Sequence, residues 1–312
     1  MGATGSGKTS FINLLSNSNL NVGKGLRSCT NTVQVADAFN LAGRRVVLID
    51  TPGFDDTSLS DVDVLNMIAA FLENSYEGGR KLAGVLYFHR ISDPKMTGIS
   101  RRNFGMFRKL CGDNALQNVV IVTNMWGQVD LEVGKEREAE LKREDDFFKP
   151  VLDKGGRMER HENTALSAER IVRLILGNNP LPLHIQKELV DEGKAIPDTA
   201  AGEELNRELN AQIERHREEM RVLREDLEQA IKDKDEETRR ELDVEIQRLQ
   251  MKVEGLLDDS KRMASDYKLH IDEIKDTLRK EKARGHRQAK VLNRLRDGFF
   301  SRIAAYLDGV DL

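Results

Sequence analysis

The sequence predicts an α/β domain, with a mostly parallel sheet flanked by helices, followed by a long α-helical coiled coil. Apolar strand patterns alternate with amphipathic helical patterns over residues 1–178, and parallel strands need such helical crossovers. No proline follows Pro197, and about half of residues 203–297 are charged. A long charged segment without helix breakers favours a helix that gains its stability from a partner helix.

The changes of pattern also divide the chain into elements and segments. Strands are predicted at residues 33–39, 45–50, 82–88 and 119–123. Helices are predicted at residues 8–16, 62–72, 102–110, 131–144 and 168–176. The segments are a domain over 1–178, a proline-containing linker over 179–202, the coiled coil over 203–297 and an amphipathic terminal helix over 298–312.

Charge and cysteine content exclude several classes of protein. The 312 residues carry 49 Lys+Arg and 53 Asp+Glu, a formal net charge of -4, whereas nucleic-acid-binding domains are usually basic. Two cysteines, Cys29 and Cys111, cannot form a disulfide framework. No apolar run approaches the ~18 residues of a membrane span. We therefore expect a cytoplasmic protein that binds no nucleic acid.

Residues 2–9, GATGSGKT, match the phosphate-binding loop G-x-x-x-x-G-K-[ST] at every fixed position, and a helical pattern follows them. The glycines let consecutive backbone N–H groups face a phosphate chain, while Lys8 can reach the β- and γ-phosphates. The Thr9 hydroxyl can bind Mg²⁺. The match predicts a P-loop NTPase fold. Its nucleotide-binding residues are Gly2, Thr4, Gly5, Ser6, Gly7, Lys8, Thr9 and Ser10.

A strand is expected directly before such a loop, but only Met1 precedes Gly2. Two interpretations are open: the sequence begins one strand late, or the loop forms without that strand. We favour the first, because an open position at the centre of a sheet would expose a long strand edge. The first strand of the domain is therefore expected to be missing.

Residues 46–53, VVLIDTPG, predict the second half of the phosphate site. The apolar strand ends in Asp50, which suits a water-mediated contact to Mg²⁺. The N–H of Gly53 can meet a γ-phosphate, because glycine has no side chain to prevent the close approach. Downstream of a phosphate loop, this D-x-x-G motif is a specific signal of a G domain.

The motif DTPGFDD at residues 50–56, together with the phosphate loop, resembles the septin-like and avirulence-induced (immunity-associated) P-loop GTPases. The chain is most similar to fungal G domain-containing proteins with a C-terminal coiled coil. The resemblance covers residues 2–178 and implies binding of GTP and GDP with Mg²⁺. It also implies a threonine that binds Mg²⁺ in the triphosphate state. Thr30 stands where that residue belongs, Thr32 is the second choice, and an ordinary polar loop is the alternative.

Two positions depart from the patterns of GTPases. Phe54 follows D-x-x-G directly, where small GTPases carry a glutamine that orients water, so hydrolysis should be slow or should use groups from a partner subunit. Residues 123–126, TNMW, replace the guanine-specific motif [NT]-K-x-D, with Asn124 at the lysine position and Trp126 at the aspartate position. Asn124 can hydrogen-bond a base edge and Trp126 can stack on the base, or Trp126 is a core residue. A weak fifth base-contacting motif, TALSA, stands at residues 164–168.

The charged tail carries apolar residues at alternating steps of three and four, which predicts a coiled-coil seam. We expect self-association through this seam, so that the chain forms a homodimer through the coiled coil or the G domain. A solvated single helix and a helix folded back on the G domain are the alternatives. The apolar positions are Met220, Leu223, Leu227, Ala230, Leu242, Ile246, Leu249, Val253, Leu256, Met263, Tyr267 and Ile274.

The last forty residues combine a basic stretch with an apolar one. Residues 279–296 carry eight basic side chains and one acidic side chain, and aromatic residues at helical spacing follow from Phe299. This pattern is typical of helices that lie on a membrane surface, so residues 279–307 are predicted to contact one peripherally. A terminal helix docked on protein is the alternative.

Together these residues predict a slow, Mg²⁺-dependent GTPase. Lys8 and Thr30 are its predicted catalytic residues, while Thr9, Thr30 and Asp50 are the predicted metal ligands. Two alternatives remain open: a non-catalytic nucleotide-binding scaffold whose coiled coil provides the function, and an ATPase, since the aspartate that specifies guanine is replaced by Trp126.

Overall fold

The protein, in a computed structural model, is described at residues 1–21, 32–56, 58–233, 235–263, 265 and 267. The helices are α1 (Lys8–Ser16), α2 (Asp61–Glu77), α3 (Gly98–Cys111), α4 (Leu131–Arg143), α5 (Lys149–Leu152), α6 (Ala165–Leu176), α7 (His184–Gln186), α8 (Ala200–Asp233) and α9 (residues 236–263). The strands are β1 (Gln34–Val35), β2 (Phe39–Leu41), β3 (Arg44–Val46), β4 (Ile49–Asp50), β5 (Val85–Arg90), β6 (Val119–Asn124) and β7 (Arg157–Arg160). The predicted α/β fold with a long helical tail is confirmed.

Three parallel strands form the centre of the molecule in the order β5-β6-β7. α3 lies between β5 and β6 in the chain, while α4 and α5 lie between β6 and β7. Because the three strands run parallel, their carboxyl ends lie at one edge of the sheet. Arg90, Asn124 and Arg160 end the strands there, and binding sites of such sheets are found at this edge.

Two antiparallel pairs take the place of the two long strands predicted at 33–39 and 45–50. β1 pairs with β4, and β2 pairs with β3. The hairpin between β2 and β3 turns through Ala42 and Gly43, whose φ angles of 51° and 75° are both left-handed. Such two-residue turns match the twist of the flanking strands. Residues 36–38 and 47–48, which belong to no strand, divide each predicted strand into two shorter ones.

The first three residues connect the parallel sheet to the segment after β4. Gly2 bridges to Phe88 of β5 and Ala3 bridges to Phe54, both in the parallel sense. The phosphate loop therefore starts between two extended segments, and α1 begins at Lys8. Isolated bridges thus precede the phosphate loop and a helix follows it.

Aromatic side chains fill the space between the sheet and α3. The ring of Tyr87 lies 5.1 Å from that of Phe104 and 4.6 Å from that of Phe107, and Phe148 lies 4.7 Å from Phe104. All four rings are buried. Packed aromatic pairs stabilise a core beyond the area that they bury, and here they hold β5 in place.

The tail forms a helical hairpin within one chain. Ser260, late in α9, donates a 3.0 Å hydrogen bond to Asn206, early in α8, so the two helices run antiparallel. Leu249 and Val253 of the predicted seam share a buried cluster with Ile213 of α8. This differs from the predicted seam between two chains. A helix that follows after a short turn is a favoured partner, because its pairing avoids the entropy lost when two separate molecules associate.

The hairpin also packs on the G domain. Met263 is fully buried in the main core cluster, together with Leu205 and Leu209 of α8. Arg262 forms a 3.2 Å salt bridge with Asp63 of α2. Of the alternatives for the tail, folding back on the domain is the one that these residues adopt. Residues 268–297 of the predicted coiled coil lie outside the described residues.

The segment predicted as a linker, 179–202, packs against the domain. Leu183, Ile185 and Ile196 are buried, and the side-chain amide of Gln186 donates a 2.9 Å hydrogen bond to the carbonyl of Leu72. The segment thus docks the start of α8 against α2. Among the described residues, no helix is long and apolar enough to cross a membrane. The predicted membrane contact at 279–307 lies outside them.

Candidate functional site

The phosphate loop has the backbone that its glycines allow. Gly2, Gly5 and Gly7 have φ angles of 129°, 74° and 94°, which L-residues with a side chain rarely adopt. A Cβ atom on Gly7 would lie 2.3 Å from the side-chain amide nitrogen of Asn124. Both the backbone angle and the neighbour therefore require glycine at this position.

The side chain of Lys8 hydrogen-bonds back to the start of the phosphate loop. Its ammonium group donates 3.0 Å hydrogen bonds to the carbonyls of Gly2 and Ala3, and the side chain is buried. Burial lowers the pKa of Lys8 to about 8, although Asp50 and Asp56 raise it. A cation held at the centre of the loop is positioned to bind phosphate oxygens, and phosphate would restore its full charge.

The predicted metal ligands Thr9 and Asp50 lie together. The Thr9 hydroxyl donates a 2.7 Å hydrogen bond to Oδ2 of Asp50, whose carboxylate is buried. The other oxygen, Oδ1, has no hydrogen-bond partner among the described residues. A buried carboxylate oxygen without a partner beside a hydroxyl fits the oxygen ligands that Mg²⁺ prefers. Thr30, the third predicted ligand, lies outside the described residues.

Gly53 lies directly against the phosphate loop. A Cβ atom there would lie 2.6 Å from the backbone nitrogen of Thr4. Thr4 in turn donates a 2.9 Å backbone hydrogen bond to Phe54, and its hydroxyl donates a 3.2 Å bond to Asp56. The Phe54 side chain is completely buried. The position after Gly53 therefore presents no side chain that could orient water.

Asn124 is joined to the phosphate loop. Its side-chain amide donates a 2.9 Å hydrogen bond to the carbonyl of Ser6, and its side-chain oxygen accepts one of 2.8 Å from the N–H of Met125. The side chain is buried. Asn124 thus connects the carboxyl end of β6 to the loop, and both ends of its amide are engaged in the protein.

Trp126 is half-buried and packs against the main core cluster. Its indole N–H donates 3.1 Å hydrogen bonds to the carbonyl and the hydroxyl of Thr123, and the Arg160 guanidinium lies 4.2 Å from the ring centroid. Arg160 is held over the ring by two hydrogen bonds to Glu138. A Cβ atom on Gly134 would lie 2.8 Å from the ring. The geometry is compatible with the core interpretation, since a guanidinium covers one face of the half-buried indole.

The fifth predicted motif caps a helix. The Thr164 side chain accepts a hydrogen bond from the N–H of Ser167 at the start of α6. The Ser167 hydroxyl pairs with Nδ1 of His161 at 2.9 Å. Polar residues at a helix start are favoured because they satisfy free N–H groups. Ser10, predicted in the loop, lies in the first turn of α1.

The structure adds a residue that the sequence interpretation missed. Arg90, at the carboxyl end of β5, donates a 3.3 Å hydrogen bond to the carbonyl of Thr4 and pairs with Asp93. A polar residue ending an apolar strand, as Asp50 does, was the available signal. Arg90 adds a second cation near Lys8, and its charge contributes to the lowered pKa of that residue.

The geometry agrees with the comparison to known families. Residues 1–124 match the family described as 50S ribosome-binding GTPase. None of the curated proteins matches the chain. Among solved structures, Toc33 from Arabidopsis thaliana in complex with Mg²⁺ and GMPPNP is 16% identical, with a TM-score of 0.45, and the match covers 58% of this chain and 84% of that one.

A second structural similarity is to translation elongation factor SelB from Methanococcus maripaludis in complex with GppNHp. It is 14% identical with a TM-score of 0.37, and the match covers 58% of this chain and 34% of that one. The family match over residues 1–124 and the site geometry define the fold class: the amino-terminal part has the P-loop G-domain fold. Magnesium is the cofactor of this class, and Thr9 and Asp50 are the described residues that fit it.

Proposed function

We propose that the protein binds GTP with Mg²⁺ and hydrolyses it slowly. The observation that supports this most directly is the contact between Thr9 and Asp50, with Lys8 one residue before Thr9 on the same loop. A hydroxyl, a carboxylate and a lysine in this order are the protein groups that hold a nucleoside triphosphate and its metal in P-loop proteins. Here they orient the phosphates and offset their charge.

Slow hydrolysis follows from the residue after Gly53. Phe54 is buried, so its ring neither reaches nor hydrogen-bonds an attacking water. Small GTPases that lack a fully assembled water-orienting and charge-stabilising set turn over at rates on the order of 10⁻⁴ s⁻¹, and added groups raise this about 10³–10⁵-fold. We propose that a second G domain supplies such groups, so that hydrolysis depends on dimerisation.

The helical hairpin is proposed to respond to the nucleotide. The segment after Gly53 leads into α2, whose first turn contains Asp61 and Asp63. Asp61 accepts a hydrogen bond from the N–H of Asp55, while Asp63 forms the salt bridge with Arg262 of the hairpin. A γ-phosphate that accepts a hydrogen bond from the N–H of Gly53 would reposition this segment, and therefore the surface on which the hairpin packs.

We propose that the bound nucleotide is GTP, and ATP binding and hydrolysis are the alternative. The amide of Asn124 is engaged with Ser6 and Met125, and the ring of Trp126 is covered by Arg160. These two side chains therefore offer no clear readout of the base. The family match over residues 1–124 favours GTP, while this geometry favours a pocket that is less selective.

A competition titration tests the proposal. A fluorescent GTP analogue bound with Mg²⁺ is displaced by GTP, GDP and ATP, and hydrolysis is followed over a range of protein concentrations. We expect GTP to displace the analogue at least tenfold better than ATP, and specific activity to rise with concentration. Equal displacement by ATP would overturn the guanine assignment, and binding without turnover at any concentration would support the scaffold alternative.

Two variants make the assay specific. Lys8→Ala should abolish tight binding, because it removes the cation at the centre of the loop. Lys135→Ala is the matched control, since it removes an exposed lysine of α4 that pairs only locally with Glu132. Equal loss in both variants would contradict a role of Lys8 in nucleotide binding.

A further inference from the structure

A cavity lies at the end of the sheet opposite the phosphate loop. It has a volume of about 580 Å³ and is bordered by the end of α3, the α7 turn and the start of α8. Asp113 and Asn114, which also line it, belong to the short helical turn before β6. Asn124, at the other end of β6, contacts the phosphate loop. A strand of this length spans ~17 Å, so the cavity is separate from the loop. We call it the basic cavity.

Positive charge is in excess in the basic cavity, which is lined by four cationic side chains and two carboxylates. Both carboxylates are already paired. Asp113 forms a 3.0 Å salt bridge with Lys154, which lies outside the cavity, and Glu204 forms one of 2.6 Å with Arg207. The cations that remain are Arg108, Lys109 and Lys187.

No ion pair or side-chain hydrogen bond joins Arg108, Lys109 or Lys187 to any residue that the structure describes. Arg108 and Lys187 are half-buried, and the Nε atom of Arg108 is shielded from solvent without a hydrogen-bond partner there. Buried donors are normally satisfied, and like charges repel more strongly where water is partly excluded. A bound anion would satisfy the donors and remove the repulsion.

Close packing holds the walls of the basic cavity in place. A Cβ atom on Gly112, at the end of α3, would lie 2.4 Å from the Cβ atom of His184 in α7. A Cβ atom on Gly105 of α3 would lie 3.2 Å from the carboxylate of Glu204 in α8. α3 thus contacts both α7 and α8 directly. A site on elements that are already in position loses less freedom when a ligand binds.

The three unpaired cations come from two parts of the molecule. Arg108 and Lys109 lie in the last turn of α3. Lys187 precedes Glu188, whose buried carboxylate accepts a 3.0 Å hydrogen bond from the N–H of Ala200, the first residue of α8. A ligand that contacts all three cations would therefore connect the sheet domain to the start of the helical hairpin.

We propose that the basic cavity binds a small, soluble molecule through a diphosphate group. Guanidinium and ammonium groups are the side chains that proteins use to hold phosphate oxygens. A single phosphate carries a charge of about −1.5 to −2 at pH 7, which is less than the three unpaired cations require, whereas a diphosphate carries more. The volume lies in the range of ~300–1,000 Å³ of ligand pockets. This site is additional to the proposed GTP hydrolysis and does not depend on it.

Pyrophosphate is the probe for this site, and calorimetric titration of the full chain without nucleotide or Mg²⁺ measures its affinity. Because the phosphate loop can also bind pyrophosphate, every titrated protein carries Lys8→Ala. Adding Arg108→Gln and Lys187→Gln should weaken binding at least ~10-fold, since two charge-assisted contacts are lost. The melting temperature without pyrophosphate should not fall, because these two substitutions break no ion pair between described residues.

A matched control removes the same charge from another surface. Lys135→Gln with Arg143→Gln replaces one lysine and one arginine of α4, which pair with Glu132 and Glu144 and do not line the cavity. Pyrophosphate affinity should be unchanged in this variant. An equal loss of affinity in both double variants would show attraction by net charge alone and would overturn the proposal. Sulfate that binds as tightly as pyrophosphate at the same ionic strength would overturn it too.

Hydrogen exchange of the wild-type chain locates the site without any substitution. Pyrophosphate should slow exchange in residues 105–114 and 184–207. Slower exchange confined to residues 2–9 would assign all binding to the phosphate loop and contradict the second site. Since the titrations use Lys8→Ala and no nucleotide, failure here is distinct from failure of GTP binding.

Discussion

The hydroxyl of Thr9 donates a 2.7 Å hydrogen bond to the carboxylate of Asp50, across a separation of 41 residues in the chain. Thr9 is placed by the first turn of α1, and Asp50 by the end of β4. The contact therefore depends on α1 and β4 being held side by side, which the core around Phe11 and Val46 provides. This site and the hairpin behind it lead to five predictions.

Asp50→Asn should weaken Mg²⁺-dependent nucleotide binding about 10–100-fold, the range found when residues that support a metal are replaced. The amide keeps the size of the side chain but loses the charge that attracts the cation. Nucleotide affinity is measured with Mg²⁺ and with EDTA. Asp113→Asn, which removes an exposed carboxylate paired with Lys154, is the control. Equal Mg²⁺ dependence in both variants would show that Asp50 is not a metal-site residue.

Gly7→Ala should destabilise the loop and abolish nucleotide binding. The new methyl group would meet the amide of Asn124, in addition to the strain of a φ angle of 94°. Gly79→Ala isolates the second effect, because Gly79 has a φ angle of 75° but no neighbour within 4 Å. Left-handed strain alone costs about 1–2 kcal/mol. Thermal unfolding should show a larger loss of stability for Gly7→Ala than for Gly79→Ala. Similar losses of stability in both variants would exclude a clash with Asn124.

Nucleotide affinity should fall as the pH rises above about 8. Burial lowers the pKa of free Lys8 to about 8, and bound phosphate raises it, so that binding above this pH requires uptake of a proton. The limiting slope is tenfold per pH unit. The dissociation constant is measured from pH 6 to 10 at constant ionic strength. In Lys8→Arg the positive charge persists over the whole pH range, so its dissociation constant should not change with pH. An equal slope in the wild type and in Lys8→Arg would show that another group causes the pH dependence.

The same shift of the Lys8 pKa has a consequence for stability. The folded pKa of about 8 lies below the ordinary lysine pKa of 10.5. Between these values the unfolded chain holds more protons than the folded one, so the contribution of Lys8 to the free energy of unfolding increases with pH. Urea titrations of the nucleotide-free protein at pH 7.5 and 9.5, compared with Lys8→Met, measure this contribution. If the free energy of unfolding changed no more between the two pH values in the wild type than in Lys8→Met, the lowered pKa of Lys8 would be contradicted.

Arg262→Ala should loosen the hairpin from α2 and change nucleotide release more than stability. The arginine is partly exposed, so its salt bridge with Asp63 contributes at most about 1 kcal/mol. Stopped-flow release of a fluorescent nucleotide should accelerate severalfold if the hairpin senses the segment after Gly53. Arg239→Ala, which breaks an exposed pair with Glu236 within α9, is the control. Unchanged nucleotide release in Arg262→Ala would show that the hairpin is not coupled to the nucleotide site.

Much of the fold was accessible from residue patterns. α1 spans Lys8–Ser16, the predicted range, and β5, β6 and four of the longer helices occur within a few residues of their predicted positions. β7 was missed, because its residues, RMER, are polar and only partly buried. An edge strand of this kind is defined by its pairing with β6, which composition does not encode.

The residues predicted to contact the base show a different limit. Asn124 and Trp126 were predicted from their place after β6, and they are found there. Their polar atoms, however, are directed to Ser6 and Thr123. A residue type specifies which bonds a side chain can make, while the neighbours that the fold supplies select among those bonds.

Local sequence was sufficient for the phosphate loop and for the alternation of strands and helices, because each depends on backbone preferences and on spacing within a short segment. The pairing of the Thr9 hydroxyl with the Asp50 carboxylate, 41 residues apart, required the core that holds α1 beside β4. Long-range packing chose the partner of the apolar face of the tail. The repeat in α9 is equally suited to a second chain, to α8 or to the domain surface, and it buries Met263 against the G domain because α8 and α2 bring an apolar surface within its reach. Which partner the apolar face packs against depends on the free energy of packing on each available surface, and only the folded chain brings those surfaces together.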